Sequence, residues 1–212
     1  EASIEQASIE WLEDLGYHHK DGSAIFHHPK EVVLKEQLLV FIQKQYPHLP
    51  KDIQSLAVAE FTNNVGADLE HRNRSFHLKL TNGLDFNYED ASGQEKAVHI
   101  YPIDFENPEN NSFWVVNQFS ITGKNKRRPD IIIYINGLPL IVFELKNWYD
   151  ENTTIKEAFN QIGHYIKDIP LLFEYNTLSI ISDGNEAQHG MFSSGMEWFA
   201  PWKSIDGRKT IQ

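Results

Sequence analysis

Asp130, Glu144 and Lys146 are the residues of this chain whose types and spacing could do chemistry. Two runs rich in Ile, Val and aromatics lie between them and flank Asn136-Gly137, the strongest short-range signal for a β-hairpin. Asp130 stands near the start of the first run, and Glu144 and Lys146 stand at the end of the second. Strand side chains alternate with period two, so Glu144 and Lys146 share a face. Whether Asp130 joins them depends on the turn. A two-residue loop pairs Ile135 with Leu138 and turns Asp130 away from Glu144. A three-residue loop with Gly137 left-handed and a bulge pairs Ile135 with Pro139 and turns Asp130 towards Glu144. We expect the bulged form, because two carboxylates and a lysine on one face make a site.

Such a site suits metal-assisted phosphodiester hydrolysis. Mg²⁺ wants hard oxygen ligands and keeps several waters, so two carboxylates at a strand end are enough protein to hold it. The ion can lower the pKa of a bound water and stabilise charge on the scissile phosphate. A lysine beside it can orient the water or stabilise the developing anion. A Glu-x-Lys triplet alone is more often a surface ion pair; its place after a Pro-Asp strand gives it weight.

Those residues carry a resemblance. Pro129-Asp130 followed by Glu144-Leu145-Lys146 looks like the PD-(D/E)XK nuclease motif. The wider wording resembles the N-terminal nuclease domain of the restriction (R) subunit of type I restriction enzymes. The matching stretches include Val115-Val116-Asn117-Gln118-Phe119, Arg128-Pro129-Asp130, Asn136-Gly137-Leu138-Pro139-Leu140, Phe143-Glu144-Leu145-Lys146-Asn147 and Gln161-x-x-x-Tyr165. Ile181-Ser182-Asp183-Gly184, Trp198-Phe199-Ala200-Pro201-Trp202-Lys203 and the opening Ile4-Glu5-Gln6-Ala7 with Leu15-Gly16-Tyr17 also fit. The resemblance spans most of the chain and is weakest from about 20 to 75. It implies a Mg²⁺-dependent type I site-specific deoxyribonuclease cutting double-stranded DNA, with Asp130 and Glu144 as metal ligands and Lys146 positioning the water. Gln161 and Tyr165 would lie near the active site, and Glu5, on the first helix, would complete the metal shell from outside. It further implies methyltransferase and specificity subunits as partners, a prokaryotic cytoplasmic location, and an ATP-driven motor beyond this chain.

Composition bounds these readings. The 212 residues can bury about 70% of their unfolded surface, enough for one full domain. No apolar run approaches the length of a membrane span, and Glu1-Ala2-Ser3-Ile4-Glu5 does not begin like a signal peptide. With no cysteine, disulfides and thiolate zinc sites are excluded. A net charge of −11 makes an unaided DNA binder unexpected, since such surfaces are usually basic. The run Lys124-Asn125-Lys126-Arg127-Arg128 beside the site could touch phosphates through Lys124, Lys126, Arg127 and Arg128, or be a solvated loop. The only Gly-Lys pair, Gly123-Lys124, lacks the rest of a phosphate-binding loop, so ATP chemistry is not expected here.

Residues 3–15 read as an amphipathic helix with Ile4, Ala7, Ser8, Trp11, Leu12 and Leu15 as its stripe and Glu5 on its flank. Residues 18–30 read as loop; adjacent histidines such as His18-His19 and His27-His28 cannot readily share a tetrahedral ion, so surface histidines are expected. Helices follow over 31–46 and 51–64, the latter with Glu60 as a further acidic candidate more simply explained by solvation. Alternation over 74–90 around Asn82-Gly83 reads as a hairpin, and 95–105 with 112–121 as a strand pair. After Lys146, the capping box Thr154-x-x-Glu157 opens a helix with Ile155, Ala158, Phe159, Ile162 and Ile166 buried and with Gln161 and Tyr165 neighbours on one face. Residues 177–182 form the last strand, and Met191, Trp198, Phe199 and Trp202 should pack on the domain.

The expected fold is α/β, a PD-(D/E)XK mixed sheet flanked by helices, in a single domain over 1–212. Its core is 1–17 plus 112–185, with an α+β elaboration over 18–111 and a C-terminal segment over 186–212 leading towards the motor. Two rivals stand beside the leading reading: a different PD-(D/E)XK DNA nuclease, and a nuclease-fold docking module without activity.

Overall fold

A computed structural model describes residues 2–90, 92–146 and 154–202. In chain order the helices are α1 (Ala2–Asp14), α2 (Lys35–Gln45), α3 (Lys51–Thr62), α4 (Leu69–Asn82), α5 (Ile155–Asp168) and the short α6 (Pro170–Phe173). The strands are β1 (His18–Asp21), β2 (Leu84–Glu89), β3 (Glu95–Ile100), β4 (Phe113–Asn117), β5 (Ile121–Thr122), β6 (Lys126–Arg127), β7 (Ile131–Ile135), β8 (Leu138–Leu145), β9 (Leu178–Ser182), β10 (Ala187–Gly190) and β11 (Ala200–Pro201). Seven of them form one mixed sheet in the order β1-β4-β7-β8-β9-β10-β11. β4, β7 and β8 are antiparallel neighbours, while β8 and β9 run parallel, with α5 in the crossover that a parallel pair requires.

Period-two alternation divides the sheet between two apolar layers. Val116, Ile132, Tyr134, Val142 and Ile181 face one cluster with α5 and the helices of the elaboration. Val115, Ile131, Ile133, Phe143 and Ile180 face the other, under Ile9 and Leu12 of α1. The expected α/β sheet flanked by helices is therefore observed, and it is compatible with a restriction-endonuclease-like fold. The elaboration shares the larger core cluster with the sheet through Leu38, Phe41, Phe61 and Phe76.

The central hairpin corrects the expected turn. Asn136 and Gly137 both have positive φ, 51° and 82°, and Ile135 pairs directly with Leu138, so the loop has two residues. The bulge lies further along: Tyr134 pairs with Pro139, but Ile133 pairs with Ile141, leaving Leu140 extra. From there on the register is shifted by one, and Ile131 faces Phe143. Asp130 thus comes opposite Glu144, as expected, by a different device. The turn is tight because it is buried. Asn136 is fully enclosed, accepting from Ser112 N at 2.8 Å and donating to Pro102 O at 3.0 Å and Asn111 Oδ1 at 2.8 Å. A Cβ on Gly137 would stand 2.3 Å from the Leu34 carbonyl, so α2 and the hairpin can meet only at glycine.

Other expectations also change. Residues 18–21 are a strand, parallel to β4 at the sheet edge, where a loop was expected. Residues 31–34 are not helical; α2 starts at Lys35. Residues 74–82 are the end of α4, not a strand: Asn73, Phe76 and Leu80 are buried at helical spacing while Leu78 is exposed, and Gly83 at φ 66° closes the helix. Phe76 and Leu80 fit both periods, whereas Leu78 fits only the strand's, and Asp68, which caps the helix by accepting from His71 N at 2.9 Å, decides for the helix. β3 pairs with β2 rather than with the strand that follows it. β9 is not the last strand, since β10 and β11 extend the sheet beyond it. Of the four C-terminal residues expected to pack, Phe199 is buried and Trp202 packs on the smaller cluster, whereas Met191 and Trp198 are exposed.

Candidate active site

The start of β7 and the end of β8, neighbours in the interior of the sheet, bring Asp130, Glu144 and Lys146 together at one end of these strands. The Leu145 N–H donates to Asp130 Oδ2 at 2.6 Å, so the backbone of one carboxylate's strand orients the other carboxylate. Glu144 is buried and Asp130 half-buried. Lys146 Nζ donates to Glu144 Oε1 at 2.6 Å, and the Tyr165 hydroxyl donates to Glu144 Oε2 at 2.8 Å. Both oxygens of Glu144 are thereby held in a fixed plane.

Burial, and then the charge of Asp130, push Glu144 up to about pKa 7 against the pull of Lys146 and Tyr165. Two carboxylates that repel each other at the end of a strand form a locus where added positive charge is stabilising. That electrostatic fact, with hard oxygen donors, fits a Mg²⁺-type cation. Among the described residues no group of three or more His, Cys, Asp or Glu side chains stands placed to hold a metal ion.

Tyr165 comes from α5, whose start is fixed as the capping box predicts, with Thr154 N donating to the Glu157 carboxylate at 3.3 Å. The stripe is rotated from the expected one: Ala158, Ile162, Tyr165 and Asp168 are buried, while Ile155, Phe159 and Ile166 are only partly so. This rotation turns Tyr165 under the sheet onto Glu144. Burial, and then the charge of Glu144, raise the pKa of the hydroxyl, keeping it a proton donor. Gln161, one turn earlier, interacts with that hydroxyl, so Gln161, Tyr165 and Glu144 form a chain.

Glu5 meets the end of β4, the strand beside that of Asp130. The sheet-facing residues of α1 include Ile9 and Leu12, while Ala7 and Trp11 are exposed, so the helix is turned from the expected stripe and Glu5 points inward. Its Oε1 accepts from Asn117 Nδ2 at 2.7 Å and Gln118 Nε2 at 3.3 Å. Asn117 pairs with Ile131, which places Glu5 beside the strand of Asp130 but on the α1 side. Gln118 holds a left-handed φ of 54°, a conformation that costs a non-glycine residue and clusters at functional sites. Asn117 and Gln118 belonged to a matched stretch without a role of their own. Their signal was position, at the end of the strand beside Asp130.

The basic run divides. Lys124, Lys126 and Arg128 are exposed. Arg127 is engaged: its Nε donates to Asp168 Oδ2 at 2.7 Å and its Nη2 lies 2.5 Å from the same oxygen. His27 stacks on Phe119 with ring centroids 4.1 Å apart, and His19 Nε2 is 2.9 Å from Asn117 Oδ1. Glu60 is exposed on α3. Asn147 and Lys203 lie outside the described residues.

Residues 1–197 match the family described as Type I restriction enzyme R protein N terminus. The chain is similar to the type I restriction enzyme HindI endonuclease subunit of Haemophilus influenzae, 38% identical over 97% of this chain and 20% of that protein. It is similar to the putative type I restriction enzyme MjaIXP endonuclease subunit of Methanocaldococcus jannaschii, 31% identical over 99% of this chain and 21% of that protein. The EcoprrI endonuclease subunit of Escherichia coli is 36% identical over 50% of this chain and 33% of its own length. The chain thus spans about a fifth of the first two relatives. Among the described residues no helix is long and apolar enough to cross a membrane.

Proposed function

The chain belongs to the family of type I restriction enzyme R protein N-termini, and on that premise we propose that it is a Mg²⁺-dependent endonuclease domain hydrolysing the phosphodiester bonds of double-stranded DNA. The observation that carries the reading is the register shift at Leu140, which turns Asp130 to the face of Glu144 and Lys146. A docking role alone requires no such convergence.

Asp130 and Glu144 would hold the ion. When bound, Mg²⁺ supplies Lewis-acid activation of water and neutralises charge on the phosphate. Leu145 N–H fixes the orientation of Asp130, and Tyr165 fixes that of Glu144. Lys146, held at 2.6 Å from Glu144 Oε1, presents an ammonium to the attacking water and to the anion that develops. Gln161 steadies the Tyr165 hydroxyl, and Glu5 supports the neighbouring strand end through Asn117 and Gln118. Lys124, Lys126 and Arg128 would meet phosphates beside the site. With a net charge of −11, the chain relies on other parts of its assembly to deliver DNA. The relatives' names, endonuclease subunits of type I restriction enzymes, support a multisubunit restriction enzyme; on the proposed reading its partners are methyltransferase and specificity subunits, and ATP-driven motor domains belong to the rest of the subunit.

The test is cleavage of supercoiled plasmid by the assembled enzyme carrying Asp130→Ala. Cleavage should disappear while ATP hydrolysis continues; full cleavage would favour the docking reading.

A further inference from the structure

Asp168 sits one turn beyond Tyr165, in the last position of α5. A carboxylate there opposes the helix dipole, which favours cations at a C-terminus, so something else must hold it. It is buried, and the 125–127 segment grips it: Asn125 Nδ2 donates to Oδ1 at 2.7 Å and Arg127 Nε to Oδ2 at 2.7 Å. Its backbone carbonyl accepts from Lys124 N at 2.7 Å. A Cβ on Gly123 would stand 2.0 Å from that carbonyl, so the approach requires glycine. The β5–β6 hairpin is thereby fastened to the end of α5. Three residues after Arg127 the chain reaches Asp130, and the Tyr165 hydroxyl lies 3.4 Å from the Arg128 carbonyl on the way. The helix that presents Tyr165 to Glu144 and the strand that presents Asp130 are joined at this point.

We infer that Asp168 is a positioning residue for the cleavage site: through Arg127 and the 123–125 turn it sets the approach of Asp130 to the Tyr165–Glu144 pair. Arg127 accordingly works through Asp168 rather than as a phosphate contact. The inference rests on the nuclease reading given above.

The two roles of Arg127 predict opposite results for Asp168→Ala. Releasing a phosphate-binding arginine from its carboxylate would strengthen DNA binding and leave or raise cleavage. Loosening a clamp would slow cleavage, because displacements near 1 Å in a catalytic constellation cost on the order of 100-fold. The experiment uses the assembled enzyme with full-length subunit, measuring single-turnover DNA cleavage, DNA affinity and ATP hydrolysis for Asp168→Ala, Arg127→Ala, the double variant and Lys146→Ala. Expected are losses of order 100-fold in cleavage rate for either single variant, a double variant no worse than either, and unchanged DNA affinity and ATP hydrolysis. Additive losses, weaker DNA binding in Arg127→Ala, or wild-type cleavage in either single variant would overturn the inference. Should Asp168→Ala fail to assemble, Arg127→Ala, at a half-buried position, decides alone, by loss of rate against loss of affinity. Lys146→Ala separates the two levels: if it cuts normally the nuclease reading fails, whereas if it is dead and Asp168→Ala is not, only the clamp fails.

Discussion

Lys146→Ala should lower DNA cleavage by the assembled enzyme by on the order of 10³-fold while leaving cation binding intact or tighter. The ammonium is 2.6 Å from Glu144 Oε1 and is largely enclosed, so it acts in a medium where a single charge counts for more than it does in water. Losing a donor aimed at developing negative charge costs about 10²–10³ in rate, and losing help with the water's orientation adds to that. For the cation the sign is reversed: removing a positive charge beside Asp130 and Glu144 leaves the pair more attractive to a divalent ion. Lys146→Arg should not rescue, because a planar guanidinium cannot occupy the place of a compact ammonium. Rate and affinity falling together would show that the lysine only braces the fold. Retained cleavage would remove it from the mechanism.

The second large effect is on stability. Glu144 titrates at about 7 in the folded chain against an ordinary 4.5, with burial as the larger cause and Asp130 as the next. The folded state therefore holds a proton that the unfolded state has lost between these values. Stability from this group is complete below pH 4.5, falls as pH rises through 4.5 to about 7, and is gone above it. The displacement corresponds to roughly 3 kcal/mol. Glu144→Gln, which resembles the protonated acid, should make the metal-free domain more stable than wild type by about that amount at pH 8, with little difference at pH 4. Denaturant unfolding at the two pH values measures it. Mg²⁺ should close the gap at pH 8 by favouring the ionised carboxylate, an effect absent in the variant. A variant less stable than wild type at pH 8 would mean that the Lys146 and Tyr165 bonds outweigh burial.

The grouping of the candidate residues was legible because strands and helices place them by counting. Glu144 and Lys146 share a face by alternation, and Gln161 and Tyr165 by helical spacing. The bulge at Leu140 was not legible in position. A hairpin can correct its register in the turn or in the strand, and burial of Asn136 against Pro102 and Asn111 keeps the turn at two residues. Helix α4 was hidden because Phe76 and Leu80, four apart, fit both periods while the exposed Leu78 completes a strand pattern, and the Asn82-Gly83 turn signal is also a helix stop. β1 was missed because a short, exposed edge strand with the sequence His18-His19-Lys20-Asp21 has no apolar face to show. The orientation of α1, and with it the contact of Glu5 with Asn117, depends on which side of the sheet is left open. Asp168 was missed because its partners, Asn125 and Arg127, come from across the fold.

The metal site is tested most simply by a calorimetric titration of the domain with Mn²⁺ and Mg²⁺, alone and with a short DNA duplex, beside its Asp130→Ala variant. Binding by the wild type, lost in the variant, is the predicted result, since Asp130 is then a ligand and the hairpin a metal site. Equal binding by both, or none by either even with the duplex, would contradict it.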